Sequence, residues 1–153
     1  MTVFEELNGV DSECRSYLVA DSGEALIVDP VLERADDYLR RLGALRLRLA
    51  YAADTHTHAD HLSASKELSR KTGAKTAGAP AAVVQVPLGE GSALRVGKLT
   101  VAVWASSSIG EERRTNGRIL IGREKFVAAM RESRPSKPAR MAEALAYNTA
   151  PLS

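Results

Sequence analysis

The chain reads DTHTHADH from Asp54 to His61, and this stretch holds all three of its histidines. Two acids, Asp54 and Asp60, lie among them. Neutral imidazole nitrogens beside an anionic oxygen are the donors that zinc and iron take in proteins. A polar turn that happens to be rich in histidine is the plainer alternative, but short tracts of this composition are typical of metal binding. The stretch therefore predicts a site for a divalent metal ion.

The spacing within the stretch indicates how the donor side chains could be shared between metal ions. Because side chains on a strand alternate with a period of two, His56 and His58 point the same way if the preceding strand reaches them. Asp60 and His61 would then come from the turn that opens the next helix. One short loop could therefore hold one ion, or two ions with a pair of donors for each.

Residues 55–61 resemble the HxHxDH signature of the metallo-β-lactamase fold. Within that superfamily the chain is most similar to the persulfide dioxygenase branch, near the glyoxalase II thioesterases. The similarity includes the segments 14–18 (CRSYL) and 27–30 (IVDP) and runs to the end of the chain. It implies an α/β fold, an αββα sandwich, in a single domain over residues 1–153. Residues 1–105 would form the N-terminal half with the metal loop, and residues 106–153 the C-terminal tail.

The resemblance also implies roles for individual residues. The expected metal ligands are the last four polar donors of the motif, His56, His58, Asp60 and His61. Asp60 is in addition the expected catalytic residue. Three further residues are expected to orient these ligands without binding the metal themselves, namely Asp29, Asp54 and Thr55. For Asp29, a carboxylate that caps the end of a strand is the alternative.

The chain departs from the family pattern after the strand that matches Leu99–Trp104. No histidine follows His61, and no Gly-Asp dipeptide occurs anywhere, although the family takes further metal ligands from both. Gly117 stands where the family usually has proline. The simplest account is an in-frame internal deletion that joins the two halves near Ala105–Ser107. It predicts an incomplete second sheet and an exposed apolar face, and hence a homo-oligomer.

Hydrophobic periodicity predicts the order of the elements. Strands are expected at Val3–Leu7, Ser16–Ala20, Ala25–Val28, Arg46–Ala52 and Lys75–Ala79, and a hairpin at Ala93–Val96 and Leu99–Trp104. Helices are expected at Ala35–Leu42, Ser63–Thr72, Glu124–Arg131 and Pro138–Tyr147, the first two ended by Gly43 and Gly73. This order places the histidine stretch at the carboxyl end of a strand, where open α/β sheets bind ligands.

Composition and charge narrow the class of protein. Hydrophobic residues make up 44% and charged residues 26%, which is ordinary for a soluble globular protein. The net charge of +2 is too small to indicate a nucleic acid or membrane partner. No apolar run approaches the about 20 residues of a membrane span. The first residues lack the pattern of a signal peptide, so we expect a cytoplasmic protein.

Cys14 is the only cysteine, which excludes an internal disulfide. A small core residue in a strand is the favoured interpretation, and a reactive thiol is the alternative.

Three functional hypotheses follow from the resemblance. The first is a persulfide dioxygenase that acts on glutathione persulfide with one Fe²⁺, in which only His56 of the ligands carries over and His58 and Asp60 order water or substrate. The second is a glyoxalase II type thioester hydrolase with two Zn²⁺, one at His56 and His58 and one at Asp60 and His61. The third is a shortened relative without activity, which binds metal weakly or pairs with another chain.

Overall fold

A computed structural model of the protein describes residues 1–8, 14–80, 82–103 and 141–150. The strands are β1 Val3–Glu6, β2 Tyr17–Asp21, β3 Glu24–Val28, β4 Arg48–Ala53, β5 Lys75–Gly78, β6 Val86–Pro87, β7 Ala93–Val96 and β8 Leu99–Ala102. The helices are α1 Ala35–Ala44, α2 Ser65–Thr72 and α3 Met141–Thr149. A 3-10 turn, Leu32–Arg34, precedes α1.

Strands β1 to β6 form one sheet in chain order. β1, β2 and β3 are antiparallel, whereas β3, β4, β5 and β6 are parallel. The carboxyl ends of β3 and β4 therefore lie at the same edge of the sheet, and an acid follows each of them directly. The backbone of Asp29 donates to Ala53 O at 2.8 Å, and that of Asp54 donates to Ala77 O at 3.0 Å. These bonds extend the ladder to the point where the histidine stretch begins.

The two faces of the sheet pack against different layers. Ile27 points to the side of α1 and α2, where it meets Tyr38 and Leu68 in one core. Its neighbour Leu26 points to the other side and packs against Leu94 of β7, as the alternation of side chains along a strand requires. The described residues thus form a helical layer, a six-stranded sheet and a second sheet of two strands. This arrangement confirms the predicted α/β sandwich.

The turn between β7 and β8 is joined to the turn between β2 and β3. Gly97 N donates to Glu24 Oε2 and Lys98 N donates to Asp21 Oδ2, both at 3.0 Å. Gly97 has φ +59, and a Cβ built on it would lie 2.2 Å from Asp21 O. Only glycine fits here, because the two turns touch backbone to backbone. This contact fixes the hairpin on the sheet at the end remote from Asp29.

Most element predictions are confirmed. The errors concern the ends of elements, including the start of β4 at Arg48, and the short strand β6, which was not predicted. α1 runs through Gly43 to Ala44, so the prediction that Gly43 ends it was wrong. The left-handed residue after α1 is Arg46, at φ 54, and its N–H donates to Gly43 O at 3.0 Å. Gly73 does end α2, with φ 73 and a bond to Ser69 O. The last predicted helix corresponds to α3, whereas the predicted helix at 124–131 and the predicted junction near 105–107 lie outside the described residues.

None of the helices in the described ranges is long and apolar enough to cross a membrane.

Candidate metal centre

The three imidazoles form one cluster at the carboxyl end of β4. The ring centroids of His56 and His58 are 4.3 Å apart, and those of His58 and His61 are 4.2 Å apart. β4 ends at Ala53, so alternation along a strand, the reason first given for pairing His56 with His58, was wrong. The loop itself brings the rings together, with His56 exposed and His58 buried.

Asp29, His56 and His58 form the first candidate group of metal donors. One donor atom from each of the three residues lies within 4.8 Å of the other two. His58 Nε2 lies 3.1 Å from Asp29 Oδ1. Two ligands of one ion have a similar separation when their bonds are about 2.0–2.2 Å long. The set of two imidazoles and one carboxylate therefore fits a divalent ion.

Asp29 also holds the start of the loop. Its Oδ1 accepts from Thr55 N and its Oδ2 from Thr55 Oγ1, both at 2.7 Å. Burial alone would raise the pKa of Asp29, but the hydrogen bonds from His58 and Thr55 outweigh it and hold that pKa below its ordinary value. An ionised Asp29 can thus support Thr55 and bind a cation.

Asp54 is the second carboxylate near Nε2 of His58. Ser63 Oγ contacts both carboxylate oxygens of Asp54, at 2.7 and 2.9 Å, and Oδ1 lies 3.6 Å from His58 Nε2. Burial raises the pKa of Asp54 despite the hydrogen bonds from Ser63 and Ser65. Burial would lower the pKa of His58, but the hydrogen bond to Asp29 and the charges of Asp29 and Asp54 raise it. His58 is therefore a ring oriented by two carboxylates.

Cys14, Asp60 and His61 form the second candidate group. Cys14 Sγ lies 3.3 Å from His61 Nδ1 and 3.5 Å from Asp60 Oδ2, and Asp60 Oδ1 lies 3.2 Å from the same Nδ1. The interpretation of Cys14 as a core residue in a strand was wrong. It is partly exposed and precedes β2, because Tyr17 is the first residue of that strand. Its contacts are 46 and 47 residues away in sequence, which no local pattern reveals.

The surroundings of the His61 ring bear on whether this second group suits a metal ion. Its side chain is 9% exposed, and Nε2 is buried without a hydrogen-bond partner in the described part of the chain. Buried polar atoms are normally paired, so the ring makes its polar contacts through Nδ1 alone. By distance, His56 and His58 group with Asp29, and Asp60 and His61 group with Cys14; the assignment of these residues as ligands stays a prediction.

Asn148 of α3 holds the loop from the other end of the chain. Its Nδ2 donates to His58 O and to His61 O, both at 3.0 Å, and its Oδ1 accepts from Ser63 N at 2.8 Å. Lys66 Nζ donates to Tyr147 O at 2.7 Å and joins the end of α3 to α2. Sequence reasoning missed Asn148, because an asparagine near the end of a helix carries no motif.

Two cavities open beside the loop. One, of about 30 Å³, lies against His56, His58 and Asn148 and has room for about one water. The other, of about 830 Å³, lies between the two sheets and reaches Asp54 and Thr55. Its walls include apolar side chains from both sheets.

Comparison with known proteins agrees with this fold. The family model of the metallo-beta-lactamase superfamily matches residues 9–132. The chain therefore belongs to the metallo-β-lactamase superfamily. Its similarities place it in the branch of persulfide dioxygenases and glyoxalase II-like proteins.

Two curated relatives and one solved structure illustrate the similarity. The mitochondrial persulfide dioxygenase ETHE1 of Mus musculus is 36% identical over 104 residues, 60% of this chain and 38% of the relative. Hydroxyacylglutathione hydrolase of Methylobacterium sp. (strain 4-46) is 33% identical over 106 residues, 60% of this chain and 42% of the relative. The crystal structure of ETHE1 from Myxococcus xanthus has a TM-score of 0.76 at 23% identity, covers 97% of this chain and 98% of its own, and shows the shared fold. The chain spans less than half the length of these two curated relatives.

Proposed function

We propose that the chain is a metal-binding protein of this branch that holds one Fe²⁺ or Zn²⁺ through Asp29, His56 and His58. The observation that carries the proposal is the convergence of their donor atoms within 4.8 Å. Two imidazoles and a carboxylate are the ligands of many non-haem Fe²⁺ oxygenases and of several zinc enzymes, and they leave positions open for substrate and water. Such an ion supplies Lewis acidity and an activated water near neutral pH.

The substrate in this proposal is a small thiol derivative, glutathione persulfide or a glutathione thioester. It is supported by the two curated relatives, a persulfide dioxygenase and a hydroxyacylglutathione hydrolase. In this proposal Asp60 orders water or substrate beside the ion; its side chain is 52% exposed, and its Oδ1 lies 3.9 Å from His58 Nδ1. Turnover should be slow, because the histidines that complete the family site are missing after His61. An error of even 1 Å in positioning costs about a hundredfold in rate.

A dinuclear zinc thioester hydrolase is the second candidate. The observation that favours it is the additional donor group at Asp60 and His61, which lies beside the first because the rings of His58 and His61 are neighbours. A shortened relative without activity is the third. The proposal includes a cytoplasmic location without nucleic acid or membrane partners, for which the small net charge of +2 is the support.

Metal content and turnover test the proposal together. Purified apoprotein is loaded with Fe²⁺ without oxygen or with Zn²⁺, dialysed, and its metal content measured by elemental analysis. We expect retained metal in the wild type, strong loss in His56→Ala and no change in Thr57→Ser, an exposed position of the same loop. Protein that retains no metal would contradict the proposal. Oxygen uptake with glutathione persulfide by the iron form, or thioester cleavage by the zinc form, decides between the two activities, and neither should exceed a slow rate.

A further inference from the structure

We infer that Asn148 is a positioning residue of the proposed metal centre, which holds the backbone of the loop between β4 and α2 so that the His58 ring is placed to bind the ion. This inference rests on the proposed metal-binding function and adds a residue to it. The three hydrogen bonds that join Asn148 to this loop end on backbone atoms, at His58, His61 and Ser63. Asn148 therefore acts on the ion through the loop and not by binding it.

One side-chain amide fixes three peptide groups of the loop. An asparagine amide has two N–H bonds to donate and an oxygen that accepts. Nδ2 of Asn148 donates to His58 O and to His61 O, both at 3.0 Å, and Oδ1 accepts from Ser63 N at 2.8 Å. Because the amide is planar and rigid, these bonds set the positions of the three peptide groups relative to one another as well as to α3.

The carbonyls of His58 and His61 depend on a donor of this kind. They lie between β4, which ends at Ala53, and α2, which begins at Ser65, where neither a strand ladder nor a helix supplies donors for them. His58 is only 4% exposed, and buried backbone carbonyls are nearly always paired. Without the Asn148 amide the loop would have to move until another donor reached this carbonyl, and the His58 ring would move with it.

Two routes lead from Asn148 to the His58 ring. The first is direct, since the bond to His58 O fixes the peptide from which the ring projects. The second passes through Ser63, whose N–H donates to Asn148 and whose Oγ donates to both oxygens of Asp54, at 2.7 and 2.9 Å. Asp54 Oδ1 and Asp29 Oδ1 lie 3.6 and 3.1 Å from His58 Nε2. Because a binding site must hold its donors to within about 0.5 Å, loss of both routes should weaken the binding of the ion.

α3 is itself seated on α2 at the end that carries Asn148. Lys66 Nζ donates to Tyr147 O at 2.7 Å and also to Ala150 O, and it lies 5.5 Å from the centroid of the Tyr147 ring. A cation is favoured at the carbonyl end of a helix and over the face of an aromatic ring. The backbone beside Asn148 is thus fixed, so that its amide does not have to be ordered when the ion binds.

Asn148→Asp tests whether the hydrogen bonds to the two carbonyls matter for the ion. The variant can still accept from Ser63 N, but it loses both N–H donors and places a carboxylate oxygen against the carbonyls of His58 and His61. Its added negative charge would by itself strengthen the binding of a cation, so a loss of affinity points to the lost hydrogen bonds. We expect the dissociation constant for Zn²⁺ from titration calorimetry to rise by about 10–100-fold, as it does for residues that orient metal ligands.

Thr149→Ala is the matched control. Thr149 is exposed, and its Oγ1 donates to Leu145 O at 2.7 Å within α3, so the variant should bind Zn²⁺ as wild type does. A residue that merely attached α3 would change the stability of the fold without changing the Zn²⁺ affinity of the folded protein. Binding by Asn148→Asp that is as tight as in wild type, or tighter, would therefore overturn the inference and leave the proposed function intact.

Hydrogen exchange in wild-type protein gives a measurement that does not depend on a variant folding. Coupling between two sites is reciprocal, so if the bonds of Asn148 favour the ion, the ion must favour the docking of α3. Zn²⁺ should slow the exchange of the amides at residues 145–149, although none of these residues is an expected ligand. Exchange rates in α3 that Zn²⁺ leaves unchanged would overturn the inference.

The apoprotein separates a failure of this inference from a failure of the proposed function. Diethyl pyrocarbonate, followed by peptide mass spectrometry, should modify the exposed His56 at the same rate in wild type and in Asn148→Asp. The buried His58 should react at least about tenfold faster in the variant, because a loop that has lost its hydrogen bonds opens more often. Wild-type protein that retains no Zn²⁺ would contradict the proposed function, and faster modification of His58 would still support its positioning by Asn148. An unchanged rate at His58 would overturn the inference.

Discussion

At the scale of single residues, Asp29 combines an unusual backbone with several partners. Its φ is 50, although it is not a glycine and although proline follows it. Aspartate and asparagine tolerate this left-handed region better than other residues with a Cβ. Ser16 Oγ donates to Asp29 O at 2.6 Å and helps hold the conformation. The strained residue lies at the metal group, where such strain is most often found.

Asp29→Asn should weaken Zn²⁺ binding strongly with little effect on folding. Asparagine keeps the left-handed conformation and an oxygen for Thr55, but it removes the negative charge. If Asp29 is a ligand, we expect the dissociation constant from titration calorimetry to rise more than the about 10–100-fold typical of a supporting residue. Asp29→Ala, which also loses the contacts with Thr55, should in addition destabilise the fold. Equal Zn²⁺ affinity in Asp29→Asn and wild type would exclude Asp29 as a ligand.

The hydroxyl of Tyr38 is at the centre of a buried hydrogen-bond network. Through Ser16 and Asn8 this network reaches the backbones of Asp29 and Cys14, one residue of each candidate metal group. Its hydroxyl donates to Asn8 Oδ1 at 2.8 Å, accepts from Val31 N at 3.1 Å and lies 3.0 Å from Ser16 Oγ. Tyr38→Phe should lower the free energy of unfolding by about 1–3 kcal/mol, because buried partners are left unpaired. Urea denaturation measures the change. Tyr17→Phe, at a half-buried ring that stacks on Phe4, is the control and should stay within about 0.5 kcal/mol of wild type.

At the scale of elements, the contact between the two turns decides how the hairpin is attached. Gly97→Ala should destabilise the protein more than Gly91→Ala, by about 1–3 kcal/mol of additional overpacking. Both glycines have positive φ, but a Cβ meets backbone only at Gly97 and has open space at Gly91. Comparing the two variants therefore separates the destabilisation caused by a steric clash from that caused by placing a residue with a Cβ at positive φ. Equal melting temperatures for the two variants would show that β7 and β8 can shift away from β2.

The hydrogen bond from Lys98 N to Asp21 in this contact also makes the stability of the fold depend on pH. The backbone N–H of Lys98, with the hydroxyls of Ser22 and Thr2, lowers the pKa of Asp21 from 3.8 to about 2. The folded protein thus holds this proton more weakly than the unfolded chain. The contribution of Asp21 is complete above about pH 4 and disappears as the pH falls toward about 2. Unfolding of wild type and Asp21→Asn over this range should show the difference in stability shrinking with falling pH, and a constant difference would contradict the assignment.

Much of this arrangement of elements can be predicted from sequence, and the exceptions have physical causes. The continuous apolar run of residues 25–28 and the position of Gly73 report local preferences, so the strand β3 and the end of α2 can be predicted from sequence. Gly43 misleads because it keeps the helical conformation, so that α1 continues to Ala44 and the left-handed residue is Arg46. Cys14 and Asn148 reach the loop from 46 and 90 residues away. Their roles are set by packing between elements, which periodicity does not encode.

At the scale of the whole molecule, we predict that the chain forms a dimer. β1 is an edge of the six-stranded sheet in the described residues, and Phe4 on it is 75% exposed. Open edge strands pair readily with other chains, and burial of apolar surface contributes roughly 25 cal/mol per Å². Light scattering should give about twice the chain mass of 16.4 kDa, and Phe4→Lys should shift the protein to monomer. A wild-type protein that is monomeric at every accessible concentration would contradict the prediction.

The bond from Asn148 to His58 O closes a loop of chain, since the two residues are 90 positions apart. The entropy of closing a flexible loop grows only with the logarithm of its length, so halving or doubling the connecting segment changes the free energy by about 0.6 kcal/mol. The bond from Asn148 therefore anchors the carbonyls beside the metal donors to α3 at a closure cost that depends only weakly on the separation of the two residues along the chain.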